Sequence, residues 1–273
     1  MLAPVLIAAA LQVSAQARSL QPGELVVFTI VTSPAVKRIR VRAFDRDVPP
    51  FAVRPSQWRA LVGIDLDTAP GPYVVTVDAD GEGGHAIYRL VVQPRKFPTR
   101  HLTVDPDFVT PPPSARDRID REQALLESVW RSPAPERLWT APFRRPVPQP
   151  ANSAFGTRSV FNGVSRNPHG GADFMSPSGT PVHAPNAGRI VVARDLYFSG
   201  NTVVIDHGLG LFSTLAHLSA FEVREGDRVE VDQVIGRVGA TGRVTGPHLH
   251  WAIRAGRARV DPLSVLSLLG KAD

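Results

Sequence analysis

No cysteine occurs among the 273 residues. This excludes a disulfide framework, a thiolate metal site and a cysteine nucleophile, so any metal must be held by histidine and carboxylate. Long apolar runs are also scarce. Met1 to Leu11 is almost wholly apolar, but it is shorter than the roughly 18 to 20 residues that cross a bilayer as a helix. No later segment approaches that length, so stable membrane insertion is not expected. Aromatic residues make up only 7% of the chain, and no basic helix or nucleic-acid motif is evident, so nucleic acid is not an expected partner. Lys and Arg number 31 against 25 Asp and Glu, a net charge of +6. That excess suits an anionic partner without selecting one. Hydrophobic residues at 43% and charged residues at 21% are ordinary globular usage, which excludes a mainly disordered or collagen-like chain.

The apolar start is followed by Ala15-Gln16-Ala17, a small-x-small cleavage signature, and then Arg18. Together they predict a signal peptide over residues 1–17, cut after Ala17, and hence export. No Lys or Arg precedes the apolar run. The competing reading is a buried N-terminal helix or strand.

Residues 18–103 read as a small antiparallel β-sandwich. Glu24 to Thr32, Val36 to Phe44, Tyr73 to Asp78 and Ala86 to Val92 are rich in branched or alternating apolar residues, with Pro70-Gly71-Pro72 and Gly81 to Gly84 as turns. Residues 104–150 hold ten of the 26 prolines. They read as a Pro-rich linker carrying one helix, Ser114 to Arg131, with Ser114 as its cap and Ile119, Ala124, Leu125 and Val129 on one face. That helix either floats in the linker or packs on a domain. From residue 151 to 273 glycine becomes dense, with 16 of the 22 between Gly156 and Gly270. Short β runs between the glycines predict a second antiparallel β domain. The fold class is therefore mainly β.

Six of the eight histidines fall between His169 and His250. His248-Leu249-His250 lies in a β run, where residues two apart share a face, so both imidazoles point one way. They suit one metal ion, or a ligand beside a general base. In His169-Gly170-Gly171-Ala172-Asp173 the paired glycines argue for a turn that brings imidazole and carboxylate together. Two histidines and an aspartate leave a fourth position for water, the composition of a catalytic rather than a structural zinc site. His217 ends an alternating strand, on the face of Ser213 and Leu215, and could carry a proton across the site. His183 and His207 read as surface or turn residues, as do His85 and His101.

Several motifs now stand in order: Phe155-Gly156-Thr157-Arg158, His169 to Phe174, Gly179-Thr180-Pro181-Val182, Leu215-Ala216-His217-Leu218-Ser219, and Gly239 to Trp251 with His248-Leu249-His250 inside it. From about Ser153 to Pro262 the chain resembles the M23 zinc metallopeptidases, the LytM or lysostaphin-like endopeptidases. The resemblance implies that His169, Asp173 and His250 hold one Zn2+ and that His217 and His248 are the catalytic histidines. It implies an open groove, a peptidoglycan substrate and a periplasmic or secreted location. The bond would be a D-alanyl to meso-diaminopimelate cross-link in a thin wall, or a glycine bridge in a Gram-positive target. Departures from the family pattern are Leu215 where an aromatic residue is usual, Asp232 where Gly is common, and His183 where Ala or Tyr is more usual. Zinc-activated hydrolysis is expected, with His248 as general base and His217 at the developing oxyanion; the two roles could be exchanged. Two other functions compete: a catalytically silent scaffold that binds the wall or activates an amidase, and a nucleic-acid binder. The five intact residues argue against the first.

Overall fold

The computed structural model describes residues 11–103, 110–153 and 155–270. Residues 1–10 of the expected signal peptide lie outside the described residues. Its last residues form a strand, β1 (Gln12–Ala17), followed by β2 (Leu25–Val31), β3 (Ile39–Ala43), β4 (Arg46–Val48), β5 (Pro50–Arg54), β6 (Gln57–Gly63), β7 (Gly71–Ala79) and β8 (His85–Val92). Two four-stranded antiparallel sheets result, ordered β1-β2-β6-β5 and β4-β3-β7-β8. Their facing sides share a core of Val26, Phe28, Ile30, Val41, Val62, Val75, Val77 and Leu90, as expected for a sandwich. β2 is apolar almost throughout rather than alternating because both of its faces are buried. Val26, Phe28 and Ile30 fill the sandwich, while Leu25 and Val27 join the core of the C-terminal half.

The chain then runs through β9 (Thr99–Leu102) to α1 (Arg116–Arg131). Ser114 lies in a 3-10 turn over Pro113–Ala115 and does not cap the helix; Ala115 holds the cap position without a side-chain bond. The packed face of α1 is Leu126, Val129 and Trp130, which meet Val192, Val204 and Phe212. Ala124, expected on that face, is exposed. The proline-rich stretch after the helix is seated on the C-terminal half. Trp139, Phe143 and Val147 belong to its core, and Leu138 N donates to His207 O at 2.8 Å.

The C-terminal half contains β10 (Ala151–Ser153), β11 (Arg158–Phe161), β12 (Val164–Ser165), β13 (Gly171–Phe174), β14 (Pro181–His183), β15 (Gly188–Leu196), β16 (Gly200–Asp206), β17 (Leu211–Phe221), β18 (Arg228–Val229), β19 (Val234–Val238), β20 (Leu249–Ala255) and β21 (Ala258–Val260), then α2 (Pro262–Leu269). A large antiparallel sheet runs β10-β13-β20-β17-β16-β15-β18, with β19 bonded to β17 and β14, and β21 to β20. A small sheet, β12-β11-β9, lies apart from it; its β11–β9 pair is parallel. Trp251, Phe174, Leu215, Leu249 and Ile253 are among the side chains buried beneath the large sheet.

Candidate metal centre and groove

β13 and β20 pair in a register that sets Asp173 opposite His250, Phe174 opposite Leu249 and Ala172 opposite Trp251. Directly opposed residues share a face. Asp173 and His250 therefore emerge together on the open side, while Ala172 and Trp251 go to the core. The turn expected at Gly170-Gly171 is not there: Gly171 opens β13, and His169, just ahead of the strand, is held by backbone bonds to Thr157 and Gly156. A Cβ at Gly171 would lie 2.4 Å from Trp251 O and 2.8 Å from the His250 ring, so this position needs a residue without a side chain. His169 Nε2 and His250 Nδ1 stand 3.0 and 2.9 Å from Asp173 Oδ1, and 3.1 Å from each other. A tetrahedral ion with bonds of about 2 Å would set its donors about 3.3 Å apart. The three atoms are therefore close to a ligand triangle in both chemistry and spacing. Burial favours the protonated form of Asp173, but hydrogen bonds from His169 and His250, with their charges, hold its pKa well below the usual carboxylate range. Burial, first of all, lowers the His250 pKa. Both shifts leave the donors in the forms a cation requires.

His217 reaches the same site by a route the strand pattern does not give. Regular alternation would send it to the core with Leu215, which is fully buried opposite Trp251. Between Leu215 and Leu218, however, β17 carries one residue more than β16 opposes. His217 takes a φ of +65° in this bulge, which re-aims its side chain. Its ring centroid lies 4.9 Å from that of His248 and 6.0 Å from that of His250. The expected shared face with Ser213 and Leu215 is thus corrected by the bulge. Leu215, a departure from the family pattern, is in the core and touches no groove.

Backbone carbonyls orient both remaining imidazoles. His217 Nδ1 donates to Thr241 O at 2.9 Å, and His248 Nδ1 donates to Gly246 O at 2.9 Å. In the neutral ring this fixes the tautomer and leaves Nε2 as an acceptor. His248 Nε2 lies 3.8 Å from Asp173 Oδ1. Burial is the main cause that lowers the His217 pKa, to about 3, with the neighbouring His250 adding to it.

The five residues line one side of a groove of about 470 Å3. Val244, Thr245 and Gly246 form part of its wall, as the glycine-rich loop before His248 suggested. Sequence reasoning missed Arg100, Phe161, Arg166, Phe198 and Arg243, which also line it. They come from four separate stretches of chain, so no local motif marks them. His207 is a correction of another kind. Read as a turn residue, it is fully buried, with Nδ1 bonded to Ala187 O and Nε2 to Ser213 Oγ. His183 bonds the carbonyl of Asp232 and stands away from the groove.

Comparison with known proteins bears on the half of the chain that carries these residues. The family model described as peptidase family M23 matches residues 167–262. Peptidoglycan DD-endopeptidase ShyA of Vibrio cholerae is 46% identical over 86 residues, covering 32% of this chain and 20% of that protein. DD-carboxypeptidase/endopeptidase Mpg of Neisseria meningitidis is 46% identical over 97 residues, covering 36% and 22%. The chain thus spans only about a fifth of the length of these curated relatives. A solved structure from Pseudomonas aeruginosa, assigned to peptidase M23, is 32% identical and superposes with a TM-score of 0.72, covering 93% of this chain and 97% of that one. That likeness takes in the N-terminal sandwich as well as the histidine-bearing half, and with it the chain belongs to peptidase family M23.

Proposed function

We propose that this protein is a zinc-dependent endopeptidase that hydrolyses peptide cross-links or stem peptides of bacterial peptidoglycan, in an exported and most simply periplasmic setting. The observation that carries the proposal is the convergence of His169, Asp173, His217, His248 and His250 on one groove. The names of the curated relatives support a D,D bond as the target.

His169, Asp173 and His250 would hold one Zn2+. When bound, the ion supplies the Lewis acidity that acidifies water and polarises a carbonyl. The chain's own residues then move the proton and shape the site. His248, held through Nδ1 by Gly246 O, presents Nε2 as the base that takes a proton from the attacking water. His217, held through Nδ1 by Thr241 O, presents a second Nε2 across the groove. As an acceptor there it would help move the water's proton on to the amine nitrogen, which leaves as the C–N bond breaks. The two imidazoles are clamped alike, so their roles can be exchanged without moving either ring. The test is digestion of cross-linked muropeptides by the zinc-loaded full chain, read by mass spectrometry beside an H248A control. New monomeric stems, absent from the control, are expected and would identify the bond. An intact substrate with fully loaded protein would leave a silent scaffold instead.

A further inference from the structure

In the loop Gly239-Ala240-Thr241-Gly242, one carbonyl already has a part, since Thr241 O accepts from His217 Nδ1. The side chain of the same residue makes two further bonds. Its hydroxyl donates to Leu218 O at 2.8 Å and accepts from Asn201 N at 2.9 Å. Asn201 and Leu218 are the opposed pair of β16 and β17 that closes the bulge carrying His217. One hydroxyl thus bridges the two strands where their residue counts differ, and it does so by donating and accepting at once. The main chain of His217 is tied as well, since its N–H donates to Ser199 O at 2.9 Å.

Glycines allow this close approach. At Gly200, which has a φ of +61°, a Cβ would collide with the main chain and the Oγ1 of Thr241. At Gly239 a Cβ would lie 2.5 Å from Ser219 N and 2.8 Å from Leu218 C. The loop is therefore pressed onto the bulge from both sides of Thr241's hydroxyl, with no room for other side chains there. At its base Gly239 pairs with His248.

We propose that Thr241 is a positioning residue: its hydroxyl latches the loop to the bulge, so that its carbonyl holds His217 as the Nδ1–H tautomer with Nε2 toward the groove. The inference rests on the endopeptidase reading for what His217 does, and it adds what keeps that imidazole in place. The role needs a hydroxyl on Cβ. Ser supplies one, whereas Val keeps the shape of Thr and leaves Asn201 N and Leu218 O without their bridge.

Two measurements on the zinc-loaded full chain test this. The first is the tautomer of His217, read by long-range proton–nitrogen NMR of the histidine rings. The wild type should show the Nδ1–H form, T241V should lose it, and T241S should restore it. The second is turnover of cross-linked muropeptides. T241V should lower kcat about ten- to a hundredfold, the order expected when a reacting group shifts by about 1 Å. KM and zinc content should stay near wild type, and T241S should recover most of the rate. A loss confined to packing would move T241S less than T241V in melting temperature but would leave the tautomer unchanged in both, and that result would overturn the latch. The wild-type spectrum decides the matter even where T241V does not fold: an Nε2–H form there overturns the proposal, and the Nδ1–H form sustains it. A tautomer lost in T241V and restored in T241S, with no cleavage by the wild type, would keep the latch and overturn the endopeptidase.

Discussion

Each of the five histidine and aspartate positions acts through one local device, and the devices give separable outcomes. His169→Ala or Asp173→Ala removes a corner of the ligand triangle, so zinc and turnover should be lost together. His248→Ala should keep its zinc and lose turnover by two orders of magnitude or more, about the contribution of a general base. Metal content by mass spectrometry beside a turnover assay separates the two classes; a zinc-free H248A protein would refute the assignment. Gly171→Ala tests packing instead of chemistry. The added methyl would press on Trp251 O and the His250 ring, so zinc affinity should fall about ten- to a hundredfold with every ligand still present, measurable by chelator competition. The H-x-H pair was legible in the sequence because strand period is local, whereas the paired glycines, read as a turn, instead lead straight into β13. His217's route was not, since a bulge depends on how two strands count against each other. Asp232 shows the converse: it replaces a common Gly at a φ of +65°, a conformation Asp tolerates better than most residues.

Elements set the pH and length limits of the fold. His207, sealed between β15, β17 and Phe143, has its pKa lowered to about 4 by burial. Its folded pKa lies below its unfolded value, so the unfolded chain takes up the proton first. Stability is unaffected above about pH 6.5 and is lost as pH falls from there to about 4, by up to about 3 kcal/mol. Denaturant melts of the wild type and H207Q at pH 7.5 and 4.5 should show a smaller acid loss in the variant, whatever its stability at neutral pH. β1 sets the other limit. Its six residues pair in unbroken register with β2 from Gln12↔Val31 to Ala17↔Val26, and Val13, Ala15 and Ala17 pack against the sandwich core. A chain beginning at Arg18 should melt several degrees below one beginning at Leu11, and any leader cleavage should fall before Gln12, which N-terminal sequencing of exported protein would check. The small-x-small signature and the strand's alternation occupy the same residues, so composition alone favoured the leader. β4, β5 and β6 went unseen for a related reason: the turn into β4 is Phe44-Asp45, both at positive φ, without the Asn-Gly or Asp-Gly signal that marks such hairpins.

At the scale of the molecule, the N-terminal sandwich and the proline-rich stretch are structural partners of the histidine-bearing half. Arg18 bonds both Glu24 at 2.7 Å and Asp261 at 2.6 Å. Asp261 in turn caps α2 by accepting from Leu263 N. Arg259 reaches back from β21 to Asp65 and Asp67, each at 2.7 Å. Gly63 abuts Ala258 and Val260, where a Cβ would stand 2.6 Å from Ala258. Leu25 and Val27 from β2, with Trp139, Phe143 and Val147 from the stretch after α1, complete one continuous core with Phe174, Trp251 and Val265. Of the prolines that marked residues 104–150 as a linker, those from Pro133 to Pro150 lie in a stretch seated on the C-terminal half through Trp139, Phe143 and Val147. Their composition was legible, and their docking was not, because the surface they cover exists only once the sheet is formed. Among the described residues the sandwich strands β1 to β8 add nothing to the groove lining. Two consequences follow for measurement. The full chain should unfold in one cooperative transition, because β2 is shared: Leu25 and Val27 complete the core of the C-terminal half while Val26, Phe28 and Ile30 fill the sandwich. A fragment of residues 151–273 should expose the faces that Leu25, Val27, Trp139 and Phe143 normally seal, and should bind a hydrophobic dye or aggregate. Two resolved calorimetric transitions, or a fragment with the full chain's melting temperature, would show that the sandwich is an appendage and not a part of the catalytic body.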